Sequence, residues 1–210
     1  MKDKGRTFTG ALGGANYERW AALFGMGQSF YRRALGTVVL EPGMKAVDLG
    51  CGPGALSFAL AERSSPSGQI VGVDLSEDQL NRAREGCSHY GCDLSFSRCS
   101  MDELPMKSCS IDLVMTSMAL HVTPPSVRRS TIAEVARVLK PGGRFLLIDW
   151  SRPKFGLQGI IWYPFCRWGE RNRDNWNNVY PEICRRQGLV LTSDRYVNSI
   201  VRRQMFRKKS

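Results

Sequence analysis

The 210-residue sequence predicts a doubly wound α/β domain built on a parallel sheet. Three observations predict it. Short apolar runs alternate with amphipathic stretches at the pace of repeated strand–helix units. A glycine-rich turn, Gly50-Cys51-Gly52-Pro53-Gly54, separates the first such run from a helical one. Ile111–Ser117 is almost wholly apolar, as a central parallel strand covered on both faces should be. The length suits one domain, able to bury roughly 70% of its unfolded surface without disulfides.

In order along the chain, Tyr17, Trp20, Leu23, Phe24, Phe30 and Tyr31 recur at helical spacing within 16–35, interrupted by Gly25 and Gly27. Two short helices are expected there. Pro42-Gly43 turns the chain into a strand at Lys45–Leu49, and a helix follows the glycine turn over 55–63. Gln69–Asp74 is the second strand. Ser76 is expected to N-cap the next helix, with Glu77 and Asp78 at its positive end. Strands follow at Asp93–Arg98 and Ile111–Ser117, then an amphipathic helix over 127–139 that stops at Pro141-Gly142-Gly143. A fifth strand spans 144–150. The remainder reads as helices over 157–171 and 178–187 and strands near 189–196 and 200–206. The organisation expected is a helical lid (1–40), a cofactor-binding core (41–150), and an acceptor-side insert with the last strands of the same domain (151–210).

The seven cysteines are scattered without a Cys-x-x-Cys pair, so neither a metal site nor a disulfide framework is expected. The polar start and the lack of a membrane-length apolar window predict a cytoplasmic protein. The net charge of +11 is uneven: residues 151–210 carry 13 Lys or Arg against 4 Asp or Glu. Interleaved with Trp150, Trp162, Tyr163, Phe165, Trp168 and Trp176, this charge suits an anionic partner, a peripheral membrane surface ahead of a nucleic acid. Arg202, Arg203, Arg207, Lys208 and Lys209 are its densest part. Arg202 and Arg203 are adjacent on a strand and should face opposite ways, one of them covering the sheet or pairing with Asp194.

The chemistry concentrates in Val47-Asp48-Leu49-Gly50-Cys51-Gly52-Pro53-Gly54. Glycines between a strand and a helix let a ligand approach backbone N–H groups. Asp74, ending the second strand, is placed to accept both hydroxyls of an adenosine ribose. A dinucleotide would meet the looser Gly50-x-Gly52 spacing, but Asp48 would repel its pyrophosphate. The same carboxylate suits the methionyl ammonium of S-adenosylmethionine (SAM).

Asp48-Leu-Gly-Cys-Gly-Pro-Gly54, Gly72-Val-Asp-Leu-Ser76, Glu103-Leu-Pro105, Ser110-Ile-Asp-Leu-Val114 and Val138-Leu-Lys-Pro-Gly-Gly-Arg-Phe145 stand in the order of the class I SAM-dependent methyltransferases, which the chain resembles over residues 45–149. The resemblance implies a Rossmann-like sheet of seven strands with an antiparallel last strand. It implies SAM at the carboxyl ends of strands one to four. Asp48, Gly50 and Gly52 would hold the methionyl end, Asp74 the ribose and Leu75 the adenine, with Ser117 ending the fourth strand. The family's adenine-binding Asp is here Ser100, so the Met101 backbone is left to serve the ring, and Asp102 is expected to point elsewhere.

Ser117-Met-Ala-Leu-His-Val122 through Ile148-Asp-Trp-Ser-Arg-Pro153 is most similar to the ubiquinone/menaquinone C-methyltransferase group. That similarity implies a small apolar or aromatic acceptor, quinol-like or lipid-like. His121, just past the fourth strand, is the candidate proton acceptor. Tyr17 and Trp20 are candidates to cover the site, and Tyr163 and Trp168 to line the acceptor pocket. RNA methylation and a SAM-binding scaffold subunit without its own catalysis stay open. Thr123-Pro-Pro-Ser126 lacks the acid and the aromatic of a base-amine methylation motif.

Overall fold

The computed structural model describes residues 27–87, 90–154, 160, 163 and 173–210. Its strands are β1 Lys45–Leu49, β2 Gln69–Asp74, β3 Asp93–Arg98, β4 Ile111–Ser117, β5 Leu139–Trp150, β6 Leu189–Tyr196 and β7 Val201–Lys208. They form one sheet in the order β3-β2-β1-β4-β5-β7-β6. β1 to β5 pair in parallel, and β7 runs antiparallel between β5 and β6. This is the seven-stranded, doubly wound sheet expected. Its helices are α1 Gln28–Leu35, α2 Ala55–Ala61, α3 Glu77–Glu85, α4 Pro125–Val138, α5 Arg173–Asn177 and α6 Tyr180–Arg186.

Side chains alternate between the two faces of each strand, so each strand feeds two layers. Ala46, Leu113, Met115, Leu146 and Ile148 pack with Phe30 and Leu35 of α1 and Leu56 and Leu60 of α2. Val47, Leu49, Val114, Phe145 and Leu147 pack with Ile132 and Val135 of α4 and Tyr180 and Cys184 of α6. Coverage on both sides explains why β1 and β4 read as apolar runs. Each fully buried Leu, Ile or Phe contributes roughly 1.5–3 kcal/mol. α1 belongs to this core, with Phe30, Ala34 and Leu35 fully buried. Residues 1–26 of the lid expected over 1–40 lie outside the described residues, as does the helix over 157–171 apart from Ile160 and Tyr163.

Two expectations need correction. α4 ends at Val138 and β5 begins at once, because Ile111 pairs with Leu139 and Leu113 with Arg144. Pro141-Gly142-Gly143 is thus an excursion within the strand, with Gly142 at φ +76° and Lys140 anchored to Asp112 at 2.8 Å. Ser76 occupies the N-cap position of α3, but its side chain makes no capping bond. Its backbone N–H instead donates to Asp74 Oδ1 at 2.8 Å.

The basic tail keeps its net positive charge, and several of its cations are also partnered within the fold. Arg202 pairs with Asp194 at 2.6 Å and lies over the Tyr196 ring. Arg203, on the opposite face, is buried and donates to Ala34 O at 2.5 Å at the end of α1. Burial lowers its pKa to about 10. Lys208 donates to Ala136 O and Leu139 O at 2.6 and 2.7 Å, and Arg207 to Gly142 O. Two of the five residues thus satisfy carbonyls at helix carboxyl ends, where positive charge is favoured. No helix among the described residues is long and apolar enough to cross a membrane.

Candidate active site at the carboxyl edge of the sheet

β1 lies between β2 and β4, so the chain leaves it toward opposite sides and a crevice opens at the strands' carboxyl ends. The glycine turn is the hub of this crevice. Gly50 and Cys51 donate their N–H groups to Val73 O at 2.8 and 3.0 Å, tying the turn to β2. Gly52 N–H donates to Asp74 Oδ2 at 2.9 Å. A Cβ added at Gly50 would stand 2.5 Å from Ala119 Cβ and 3.3 Å from Met101 Cε. The loops after β1, β2, β3 and β4 therefore converge here.

The three glycines do different work. Gly50 and Gly54, at φ +66° and +89°, are hemmed in by the protein itself, Gly54 by Phe58 and Phe96. Gly52, at φ +52°, would carry a Cβ with nothing within 4 Å. Only this glycine of the turn opens onto free space.

Asp48 is 1% exposed on the α2 face of β1, and its Oδ2 accepts from Ser57 Oγ at 2.7 Å. Its Oδ1 has no partner. Burial raises the carboxyl to about 7, with the Asp74 charge adding to the effect and the Ser57 hydroxyl opposing it. Ser117 Oγ is a second buried atom without a partner. Asp74 spends one lone pair of each oxygen on Gly52 and Ser76, leaving acceptor capacity on both. A third orphan is Gln79 Oε1 in the first turn of α3. Its capping-box partner, the Ser76 N–H, is already taken by Asp74. These features fit SAM: an orphaned carboxylate oxygen for an ammonium, a carboxylate for a ribose, and an open glycine face. Cys51 is no nucleophile, since burial pushes its thiol well up.

Leu75 and Met101 are half-buried beside this turn. Ser100 donates its hydroxyl to Asp102. After β4 the chain kinks at Met118, a non-glycine residue at φ +55°. It then makes a 3-10 turn, Leu120–Val122, carrying His121. His121 Nδ1 lies 2.8 Å from Asp149 Oδ1, and its backbone N–H donates to Asp149 Oδ2 at 3.1 Å.

Beyond β5, Tyr163 is 43% exposed and meets Trp176 edge-to-face at 5.6 Å. Arg152 lies over the other ring of this pair, that of Trp176. α5 is docked by a buried clamp in which Arg128 bonds Asp174 at 2.8 Å and also Thr123 O. Asn175 donates to Trp150 O at 3.0 Å and accepts from Tyr180 at 2.6 Å. Tyr17, Trp20 and Trp168 lie outside the described residues.

The structure thus brings Asp48, Gly50, Gly52, Asp74 and Met101 together with the β4 loop that carries His121. Asp149, Arg128 and Gln79 were missed by sequence reasoning. A carboxylate ending a central strand was a signal for Asp149, whereas nothing in the sequence marks Arg128.

A methyltransferase domain family matches residues 46–143. The chain is 33% identical over 132 residues to the ubiquinone/menaquinone biosynthesis C-methyltransferase UbiE of Bordetella parapertussis, covering 62% of this chain and 50% of that protein. It is 33% identical over 145 residues to the demethylmenaquinone methyltransferase of Desulfitobacterium hafniense, covering 68% and 56%. The chain spans about half the length of these curated relatives. Among solved structures, a SAM-dependent methyltransferase from Aquifex aeolicus superposes with a TM-score of 0.66 at 18% identity, over 84% of this chain and 88% of that one. A Haloferax volcanii methyltransferase complex with the Trm112 activator gives 0.69 at 20%, over 92% and 98%. Likeness at that identity speaks for the fold alone, and residues 46–143 are what is similar to the methyltransferase domain family.

Proposed function

We propose that the protein transfers a methyl group from SAM to a small apolar or aromatic acceptor, quinol-like or lipid-like. The observation that carries this reading is the open face of Gly52 beside the orphaned Asp48 Oδ1 and the Asp74 carboxylate. Asp48 and Gly52 take the methionyl end, and Asp74 takes the ribose hydroxyls. Leu75, Met101 and the Ser100–Asp102 pair lie toward the adenine, and Ser117 offers its unpartnered hydroxyl to the cofactor from the end of β4. SAM supplies an electrophilic methyl group on a sulfonium. The chain's part is to align an acceptor with that methyl and exclude water.

Tyr163 and Trp176 supply an aromatic wall for the acceptor. The names of the curated relatives favour a quinol ring. A nucleic acid or an anionic membrane is less favoured, because Arg202, Arg203, Arg207 and Lys208 serve the fold. The test pairs calorimetry with SAM and a methyl-transfer assay using isotope-labelled SAM and 1,4-naphthohydroquinone. SAM binding with label in the ring product is expected. Absence of SAM binding would refute the reading, and binding without transfer would refute the quinol acceptor.

A further inference from the structure

Resting on that methyl-transfer reading, we infer that Asp149 is a positioning residue that holds His121 as the proton acceptor, so that the methyl acceptor is a protic nucleophile. The argument begins with Asp149, which is 3% exposed at the carboxyl end of β5. Its Oδ1 accepts from the Trp150 N–H at 2.8 Å and meets His121 Nδ1 at 2.8 Å, while its Oδ2 accepts from the His121 N–H at 3.1 Å. An ionised carboxylate only accepts, so Nδ1 carries the proton and Nε2 is the ring nitrogen that exchanges one.

The choice of a carboxylate is informative. A backbone carbonyl would orient a neutral ring equally well, but a buried carboxylate is costly unless a cation completes it. Arg202 stands directly opposite Asp149 in the β5–β7 pairing, yet it is committed to Asp194. No Lys or Arg among the described residues pairs with Asp149. The cation that completes this site is the one the reaction makes, the His121 ring once it has taken the acceptor's proton. Through Ala119, two residues before it, His121 is tied to the Gly50 turn.

The step balances as follows. A lone pair of the acceptor forms a bond to the methyl carbon as the carbon–sulfur bond breaks, and the sulfur keeps that electron pair. The acceptor's proton passes to His121 Nε2, and the positive charge moves from sulfonium to imidazolium, next to Asp149. Such a base serves a hydroxyl or an acidic C–H. A tertiary amine, which has no proton to lose, gains nothing from it.

Only two histidines occur in the chain, His89 and His121, so a ¹⁵N-histidine-labelled His89→Gln variant reports on His121 alone. Long-range ¹H–¹⁵N spectra are expected to show the Nδ1–H tautomer in the neutral ring. Adding Asp149→Asn should lower the ring's titration midpoint by about one pH unit or more. It should also cut kcat with 1,4-naphthohydroquinone by roughly 100-fold or more, leaving KM and SAM affinity unchanged. An Nε2–H tautomer, or an unshifted midpoint and kcat in the variant, would overturn the inference. Should Asp149→Asn fail to fold, the tautomer of the Asp149-containing protein decides alone. Should the hydroquinone not be methylated at all, the quinol reading fails, while the spectra still judge the His121–Asp149 pair.

Discussion

The cofactor side of the crevice, at the glycine turn, and its far side, beyond β4 and β5, are held together by different means. On the cofactor side, backbone groups do the work: Gly50 and Cys51 N–H on Val73 O, and Gly52 and Ser76 N–H on the Asp74 carboxylate. The far side is fastened by side chains remote in sequence: His121 to Asp149, Arg128 to Asp174, Asn175 to Trp150. A backbone-built site needs glycines and a carboxylate at set places and tolerates change elsewhere. A side-chain-built site can be re-specified by replacing a few residues while the sheet stays intact. The difference teaches that one half of the edge is fixed by local backbone geometry and the other by long-range side-chain contacts.

The largest effect should come from Gly50→Ala. The new Cβ would collide with Ala119 in a left-handed backbone, and overpacking plus strain should cost about 3 kcal/mol in urea unfolding. Gly52→Ala meets no neighbour, so it should cost only about 1 kcal/mol of strain while abolishing detectable SAM binding. Equal destabilisation by the two would break the distinction between a glycine for the fold and a glycine for the ligand.

Asp74→Ala comes next. Losing charge-assisted bonds to the ribose should weaken SAM binding by about 1.5–3 kcal/mol, roughly 10- to 150-fold by calorimetry. Unchanged affinity would remove Asp74 from the cofactor site. On the far side, Arg128→Met removes a charged partner of a mostly buried Asp174 and should cost about 2 kcal/mol, discounted for the partial exposure of that carboxylate. SAM affinity should hold. A matching loss of SAM affinity would show that the two halves are coupled.

The smallest expected effect sharpens the comparison by pH. Asp48 titrates near 7 in the folded chain, above its unfolded value. The folded state therefore binds the extra proton, and stability declines as pH rises from about 4 to 7. Asp48→Asn should accordingly melt higher than the parent at pH 7.5 and approach it near pH 4. SAM's ammonium favours the ionised carboxylate, so affinity should rise about tenfold from pH 5.5 to 7 in the parent and stay flat in the variant. A pH-independent parent would take Asp48 off the ammonium.

Much of this was legible beforehand. All seven strands, the glycine turn and Asp74 follow from apolar runs and glycine punctuation, because each is written in a few consecutive residues. Arg202 and Arg203 diverge as a strand's period of two requires, one to Asp194 and the other beneath α1. The Pro141-Gly142-Gly143 turn was seen but misplaced, since only pairing with β4 shows that β5 already begins at Leu139. For the basic tail, composition counts charges without their partners. Lys208 is a surface cation in the sequence and a donor to carbonyls where α4 passes into β5 in the fold.

By itself, then, the sequence determined the sheet, its winding and a cofactor turn beside β1, all of which depend on local periodicity and on backbone conformations that glycine permits. Tertiary structure alone decided that Asp149 meets His121 across 28 residues, that Arg128 clamps Asp174 across 46, and that Asp48 keeps an orphaned oxygen. The physical reason is that hydrogen bonds and burial depend on distance in space, which a strand order folded back on itself sets independently of separation along the chain.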